Sequence, residues 1–326
     1  MSKVSINLIT WNGAKYIDAC LRSVMAQTFK DFSVIIVDNG SSDDTLAIIG
    51  ERYPHLKIVK HQENLGFAKA HNQAIHWTKS DYVLCLNQDI VMEPNFLQEA
   101  VDFMEAHPMA GAIAGKLLRW QEGEKTKYID SVGLKIYKNF RVIDLGTGEM
   151  DDGRYDLREE VFGLSGALPL YRRKALEETS YQQEFFDESF FSYKEDVDLA
   201  FRLRVAGWGI WRVPTAVAYH DRTVKTPHAQ LTPVEVARNR RGKSKFANFY
   251  SYRNHLYFLI KCLPRLTFSV LFYELTKFFY VLIFETKNLR AWRDVFHNLK
   301  QLKLKRAIIW KNRKVEVTEL EKWWRG

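Results

Sequence analysis

Apolar positions along the first 115 residues switch between two periods. "VSINLIT" (4–10), "SVIIVD" (33–38), "LKIVK" (56–60) and "YVLCL" (82–86) read as strands. The second is a continuous apolar run of the kind that lies covered on both faces of a parallel sheet. Between the strands, "KYIDACLRSVMAQ" (15–27) brings Ile17, Cys20, Leu21 and Val24 to one helical face, and "GFAKAHNQAIHWTK" (66–79) does the same with Phe67, Ala70, Ala74 and Ile75. "DDTLAIIGERY" predicts a helix capped by Ser42 or Asp43, and residues 94–106 predict another with Pro94 near its first turn. Repeated strand–helix units predict an α/β fold with a mostly parallel sheet and right-handed crossovers. In such sheets ligands sit at the carboxyl ends of the strands. Polar residues cluster there: Thr10 to Asn12, Asp38 to Ser42, and Asn87 to Asp89.

Later segments are less periodic. Residues 116–165, with several glycines and mixed charge, read as short strands and loops. A helix is predicted over 186–208, where "EDVDLAFRLRVAG" carries Val197, Phe201, Leu203 and Val205 and Gly207 is the stop signal. Beyond residue 245 the character changes. "LTFSVLFYELTKFFYVLIF" (266–284) is aromatic and strongly apolar, long enough to cross a bilayer but interrupted by Glu274 and Lys277. Each mid-segment charge costs about 2.5–3.5 kcal/mol on insertion scales, which argues against a span. "NLRAWRDVFHNLKQLKLKRAIIW" (288–310) mixes Lys and Arg with Leu, Trp and Phe, as interfacial helices do. We therefore divide the chain into a catalytic unit, 1–245, and a basic, aromatic-rich helical region, 246–326, that touches a membrane or another subunit.

Charge sharpens that division. Residues 1–220 hold 25 Lys and Arg against 31 Asp and Glu, a net of −6, whereas residues 221–326 hold 23 against 8, a net of +15. A basic tail on an acidic body suggests docking to an anionic surface. No helix-turn-helix, zinc or RNA-binding pattern supports nucleic acid as that surface. Three widely spaced cysteines, Cys20, Cys85 and Cys262, exclude a disulfide framework and fit a reducing, cytoplasmic setting. The amino terminus, "MSKVSINLIT", does not read as a signal peptide.

Candidate chemistry gathers in five stretches: "TWN" (10–12), "VDNGSSDDT" (37–45), "ENLGFAKAHNQAI" (63–75), "LNQDI" (86–90) and "FFSYKEDVDLAFRLRVAGW" (190–208). In this order they resemble glycosyltransferase family 2 enzymes with a GT-A fold, in particular bacterial rhamnosyltransferase-like members of cell-surface polysaccharide synthesis. The resemblance covers residues 4–220. It implies an inverting glycosyltransferase that moves a sugar from a nucleoside diphosphate, dTDP-L-rhamnose or a UDP-hexose, to a glycan or lipid-linked hydroxyl. A membrane-face location on the cytoplasmic side follows from a lipid-linked acceptor.

The resemblance also implies roles. Asp38 takes the nucleotide base or ribose, with Thr10, Trp11 and Asn12 lining the same pocket. Asn64, Gly66, Phe67, Lys69 and Asn72 face the donor, with Gly66 letting backbone approach the ligand and the following helix offering its positive end to an anion. "NQD" stands at the DxD-type motif, so Asp89 is the expected ligand of a divalent cation, Mn²⁺ or Mg²⁺, with Asn87 and Gln88 beside the sugar. Asn87 replaces the first acidic residue, which weakens the expected metal affinity. His220 is the second expected ligand. Asp196 is the expected base, Glu195 an acceptor contact, and Asp198 a partner for Arg202 at i,i+4. Gly166, within "FGLSGALPLYRR", leaves room for an acceptor sugar, and Trp208 offers it an apolar face. Two other readings compete: a catalytically silent nucleotide-sugar-binding scaffold, and a nucleic-acid-binding protein using the tail.

Overall fold

The computed structural model describes residues 1–121, 123–222, 242 and 244–325. The amino-terminal half is built from β1 (Val4–Thr10), α1 (Ile17–Met25), β2 (Phe32–Asp38), α2 (Thr45–Arg52), β3 (Lys57–Lys60), α3 (Phe67–His76), β4 (Tyr82–Asn87), β5 (Ile90–Met92) and α4 (Phe96–Ala106). It continues through β6 (Ala110–Gln121), β7 (Glu124–Ser131), β8 (Leu134–Ile136), β9 (Val142–Asp144), β10 (Glu159–Glu160), β11 (Pro169–Arg172), α5 (Arg173–Thr179), α6 (Glu195–Val205) and β12 (Gly209–His220). The main sheet runs β10-β12-β6-β11-β4-β1-β2-β3. β3, β2, β1 and β4 are mutually parallel, β11 is antiparallel to both β4 and β6, and β12 is parallel to β6. The architecture is therefore α/β with a large, mostly parallel sheet.

Register brings the polar strand ends together. Thr10 lies opposite Asp38, and Ile9 opposite Asn87. The strand interiors are apolar and wholly covered, with Ile6, Leu8, Ile36, Leu84 and Leu86 at zero exposure. Burial on both faces fits the continuous apolar runs.

Three local expectations need correction. Residues 116–165 hold longer strands than their composition suggests. β6 is a 12-residue strand whose small residues pack closely: a Cβ on Gly115 would meet the Ala216 carbonyl at 2.2 Å. The helix predicted over 186–208 is confined to α6. Before it stand a short 3-10 turn, Glu188–Phe190, and a loop in which Phe191, Tyr193 and Lys194 take positive φ. Finally, α2 starts after Asp44, while Asp43 accepts hydrogen bonds from the Thr45 backbone and hydroxyl.

The carboxyl-terminal helices are α7 (Lys245–Cys262), α8 (Phe268–Phe284), α9 (Arg290–Lys311) and α10 (Val317–Arg325). They share a hydrophobic cluster with the rest of the chain, in which Leu134, Ile136, Phe140 and Phe201 meet Phe258, Ile309, Leu320 and Trp324. Beside it lies a buried charge cluster. Lys261 and Asp198 approach to 2.5 Å, Asp187 pairs with both Lys261 and Lys305, and Arg202 Nε donates to Asp198 at 2.9 Å. The expected i,i+4 pair of Asp198 and Arg202 is thus present, and its setting is the joint between α6 and α7. Among the described residues no helix is long and apolar enough to cross a membrane.

Candidate active site

A cleft of about 640 Å³ opens at the carboxyl ends of β1 and β4, lined by Thr10, Trp11, Asn39, Asn64, Gly66, Phe67, Asn87, Gln88 and Asp89. Phe191, Ser192 and Tyr193 close its other wall, with Ser244 and Phe246 from the start of α7. A second pocket of about 310 Å³ holds Gly166, Glu195, Asp196, His220 and Arg222. Phe67, Asn87, Ser192 and Tyr193 line both, so the two are chambers of one site.

Neutral amides shape the first chamber. Gln88 Oε1 accepts from the Thr10 hydroxyl at 2.5 Å and the Trp11 backbone at 2.9 Å, while its Nε2 donates to the Trp11 carbonyl. The clasp presses against Gly13, where a Cβ would lie 2.1 Å from Gln88 Oε1. Asn12, at φ 47°, is exposed and accepts from the Ser42 backbone at 2.8 Å, so it ties two loops rather than lining the cleft. Asn39, which the sequence reading missed, carries the facing loop. Its Nδ2 donates to Asn64 at 3.0 Å, and its Oδ1 accepts from the Leu65 backbone at 2.9 Å. The signal was present in "DNG", where an Asn follows the strand-ending carboxylate. Asp38 itself is buried. Its Oδ2 accepts from Ser41, and its Oδ1 has no hydrogen-bond partner among the described residues.

Several expected donor contacts are corrected. Asn72 is buried and spends its amide on the Phe186 backbone, donating to its carbonyl and accepting from its N–H, each at 2.8 Å. Lys69 is an exposed helix position outside the cleft wall. Gly66 does line the cleft, but protein backbone explains the missing side chain. At φ +84° a Cβ there would meet the Phe191 carbonyl at 2.5 Å. Trp208 is not an acceptor surface. It is buried against Gly111, donates from Nε1 to Glu178, and borders a separate hollow with Glu160, Arg204 and Trp323. Residue type alone suggested a sugar platform, whereas packing against β6 makes it core.

The second chamber is built from charge. Asp196 Oδ2 accepts from Gly166 N at 3.0 Å and its Oδ1 from Val197 N at 2.7 Å. Burial raises the Asp196 pKa, against the two backbone donors that lower it. Glu195 is more deeply buried, and its Oε2 has no partner among the described residues. Burial first, and the Asp196 charge second, push its pKa well above the ordinary carboxylate value. Two adjacent carboxyls thus differ in setting: Asp196 is partly exposed and held by N–H donors, while Glu195 favours its neutral form.

A chain of charges links the chambers. His220 Nε2 lies 3.4 Å from Asp89 Oδ2, and its Nδ1 lies 2.8 Å from Asp130 Oδ2. Arg222 then approaches Asp130 at 3.6 Å and bonds Asp144 at 2.9 Å. Asp130, Asp144 and Arg222 were missed because β7, β9 and the segment after β12 meet only in the fold. Burial would lower the His220 pKa, but Asp89 and Asp130 raise it to about 9. Among the described residues no cluster of three or more His, Cys, Asp or Glu could hold a metal alone. Asp89 and His220 nevertheless fit a divalent cation that takes its other ligands from phosphate oxygens and water. Asp130 stands where an outer carboxylate orients a ligating imidazole.

The loop between the chambers is held from the carboxyl-terminal region. Asn254 Nδ2 of α7 lies 2.9, 2.8 and 2.7 Å from the carbonyls of Phe190, Ser192 and Tyr193. Arg253 Nη2 adds bonds to Ser189 and Phe190 at 2.7 and 3.1 Å. Positive-φ residues other than glycine persist only where the surroundings enforce them. The enforcing groups lie about 60 residues downstream of the loop they hold.

A family model described as "Glycosyl transferase family 2" matches residues 5–180, more than half of the chain. The chain belongs to glycosyl transferase family 2. It is 29% identical over 239 residues to N-acetylglucosaminyl-diphospho-decaprenol L-rhamnosyltransferase of Mycobacterium tuberculosis (strain ATCC 25618 / H37Rv), covering 67% of this chain and 76% of that protein. It is 24% identical over 218 residues to poly-beta-1,6-N-acetyl-D-glucosamine synthase of Staphylococcus epidermidis, covering 66% and 49%. Among solved structures, GalNAc-T7 with UDP, GalNAc and Mn²⁺ superposes with a TM-score of 0.63 at 12% identity, over 99% of this chain and 59% of that one. S. aureus TarS 1-349 in complex with UDP-GlcNAc gives 0.54 at 18% identity, over 99% and 93%. The fold is that of GT-A glycosyltransferases, and the protein is a nucleotide-sugar-dependent glycosyltransferase.

Proposed function

We propose that this glycosyltransferase moves a sugar with inversion from a nucleoside diphosphate, dTDP-L-rhamnose or a UDP-hexose, to a hydroxyl of a lipid-linked saccharide. It works as a peripheral enzyme at the cytoplasmic face of the membrane. The observation that carries this reading is the pair of chambers joined at Phe67, Asn87, Ser192 and Tyr193, one lined by Asp89 and the other by Asp196. The relative that acts on a decaprenol-linked sugar supports L-rhamnose and a lipid-linked acceptor.

In this reading the nucleotide lies in the amide-built chamber, and its base reaches the unpartnered Oδ1 of Asp38, which lies opposite Thr10 and is buried outside the chamber's lining. Asp196 accepts the proton of the acceptor hydroxyl as its oxygen bonds the anomeric carbon and the bond to the diphosphate breaks. Backbone donors from Gly166 and Val197 aim that carboxylate and offset part of the burial that raises its pKa. Glu195, held neutral, donates to an acceptor oxygen. Asp89 and His220 would hold a divalent cation, which would supply charge neutralisation to a diphosphate leaving group when bound.

The test is a transfer assay with dTDP-L-rhamnose and UDP-hexoses, a polyprenyl-diphosphate-linked sugar as acceptor, and Mn²⁺ or EDTA. Asp196→Asn should retain donor affinity and lose about 10²–10⁴-fold in turnover. Turnover near the wild-type rate would place the base elsewhere, and full activity in EDTA would remove the cation.

A further inference from the structure

α8 is assembled inside out. Its two charged residues, Glu274 and Lys277, face the protein, at 18% and 15% side-chain exposure. Glu274 accepts from the buried His255 of α7 at 2.7 Å, and Lys277 lies over the rings of Tyr252 and Tyr273. Val270 and Val281 complete this inner stripe. The opposite face carries Phe268, Phe272, Leu275, Phe279 and Ile283, with exposures of 81, 63, 48, 54 and 65%. Glu274 and Lys277, which argued from sequence against a membrane span, are thus removed from the outer face. What remains outside is an apolar stripe without a charge. A contiguous exposed patch of this kind marks an interaction surface.

We propose that this face of α8 is the membrane-inserting surface of the enzyme, lying in the headgroup–acyl boundary of an anionic leaflet. The proposal rests on the lipid-linked acceptor read above. Cations bracket the stripe: Arg265, which pairs with Glu321 at 3.1 Å, precedes the helix, and Lys287, Arg293 and Arg290, the last over the Phe249 ring, follow it, all exposed. An apolar stripe with basic ends suits an anionic lipid surface. The same ends oppose a second copy. Antiparallel pairing of two α8 faces would bring Arg265 toward Lys287, and parallel pairing would set like residues together, so cations meet cations either way. Position favours lipid too. Asn254 and His255 are neighbours on α7, one holding the active-site loop and the other holding α8. A leaflet that seats α8 therefore lies close to the chamber that receives the acceptor.

Full-chain protein should be sedimented with phosphatidylcholine vesicles, with and without phosphatidylglycerol, at low and high salt. Phe272→Ser/Phe279→Ser is the variant, with turnover measured on a water-soluble acceptor and on one embedded in vesicles. The wild type should bind anionic vesicles and keep a salt-resistant fraction. The variant should bind at least about tenfold more weakly, from the apolar area lost, and slow on the embedded acceptor only. Equal vesicle binding by the variant would overturn the proposal. So would a wild-type dimer in sedimentation velocity that the variant dissolves, with no vesicle binding. Transfer failing on both acceptors while vesicle binding holds would overturn the enzymatic reading and leave α8 at the membrane.

Discussion

The two chambers are held by opposite means. The first chamber is shaped mainly by neutral amides: Gln88 clasps Thr10 and Trp11, Asn12 ties Ser42, and Asn39 holds Asn64 and Leu65. The second chamber relies on buried charge, with Asp144, Arg222, Asp130 and His220 in a run that reaches Asp89 in the first. Amides fix shape without entering the proton balance. Buried charges fix shape and also set which carboxyls are ionised, but each depends on its partner. In the proposed function the contrast suits a first chamber that recognises the donor and a second that moves a proton.

The contrast breaks most visibly at Lys261. It is fully buried between Asp187 and Asp198, and its loss leaves two carboxylates short of a cation. Lys261→Met should lower the unfolding free energy by about 3–5 kcal/mol, read by urea titration. A loss below 1 kcal/mol would mean that Lys305 and Arg202 suffice. A smaller effect is expected on the amide side. Asn39→Ala leaves the Leu65 N–H without its acceptor and should cost about 1–3 kcal/mol in stability. Its functional signature should be a raised KM for the donor with an unchanged pH profile of kcat. A shifted profile would show that the chambers are electrostatically coupled.

The smallest effect sharpens the charge side. Glu195 has a folded-state pKa above its unfolded value, so the folded protein binds the extra proton. Stability from this group is present below the unfolded pKa and declines as pH rises toward the folded one. Glu195→Gln should therefore raise Tm, with a gain that grows from about pH 4 upward until the pH reaches the raised folded-state pKa. A gain independent of pH would mean that Glu195 is ionised in the folded protein.

Much of this was legible in the chain itself. Strand and helix periods, and the turn-rich polar clusters after β1, β2 and β4, are local signals, so the α/β class and the position of the cleft followed from them. The i,i+4 pair of Asp198 and Arg202 was legible because a helix fixes that spacing. Ordered motifs pointed to the family. Direction and burial were another matter. Asn72 looked like a ligand contact until Phe186, 114 residues away, took its amide. Trp208 looked like a sugar platform until Gly111 of β6 made room for it in the core. The loop before α6 could not be read as strained, because Asn254 that holds it lies in another helix. Glu274 and Lys277 were visible as charges in an apolar run, but which side they face depends on His255 and the tyrosines of α7 and α8. Sequence spacing determines which residues share a face. Only the packing of distant elements decides whether that face meets ligand, core or solvent, because burial is set by contacts between residues that the chain keeps far apart.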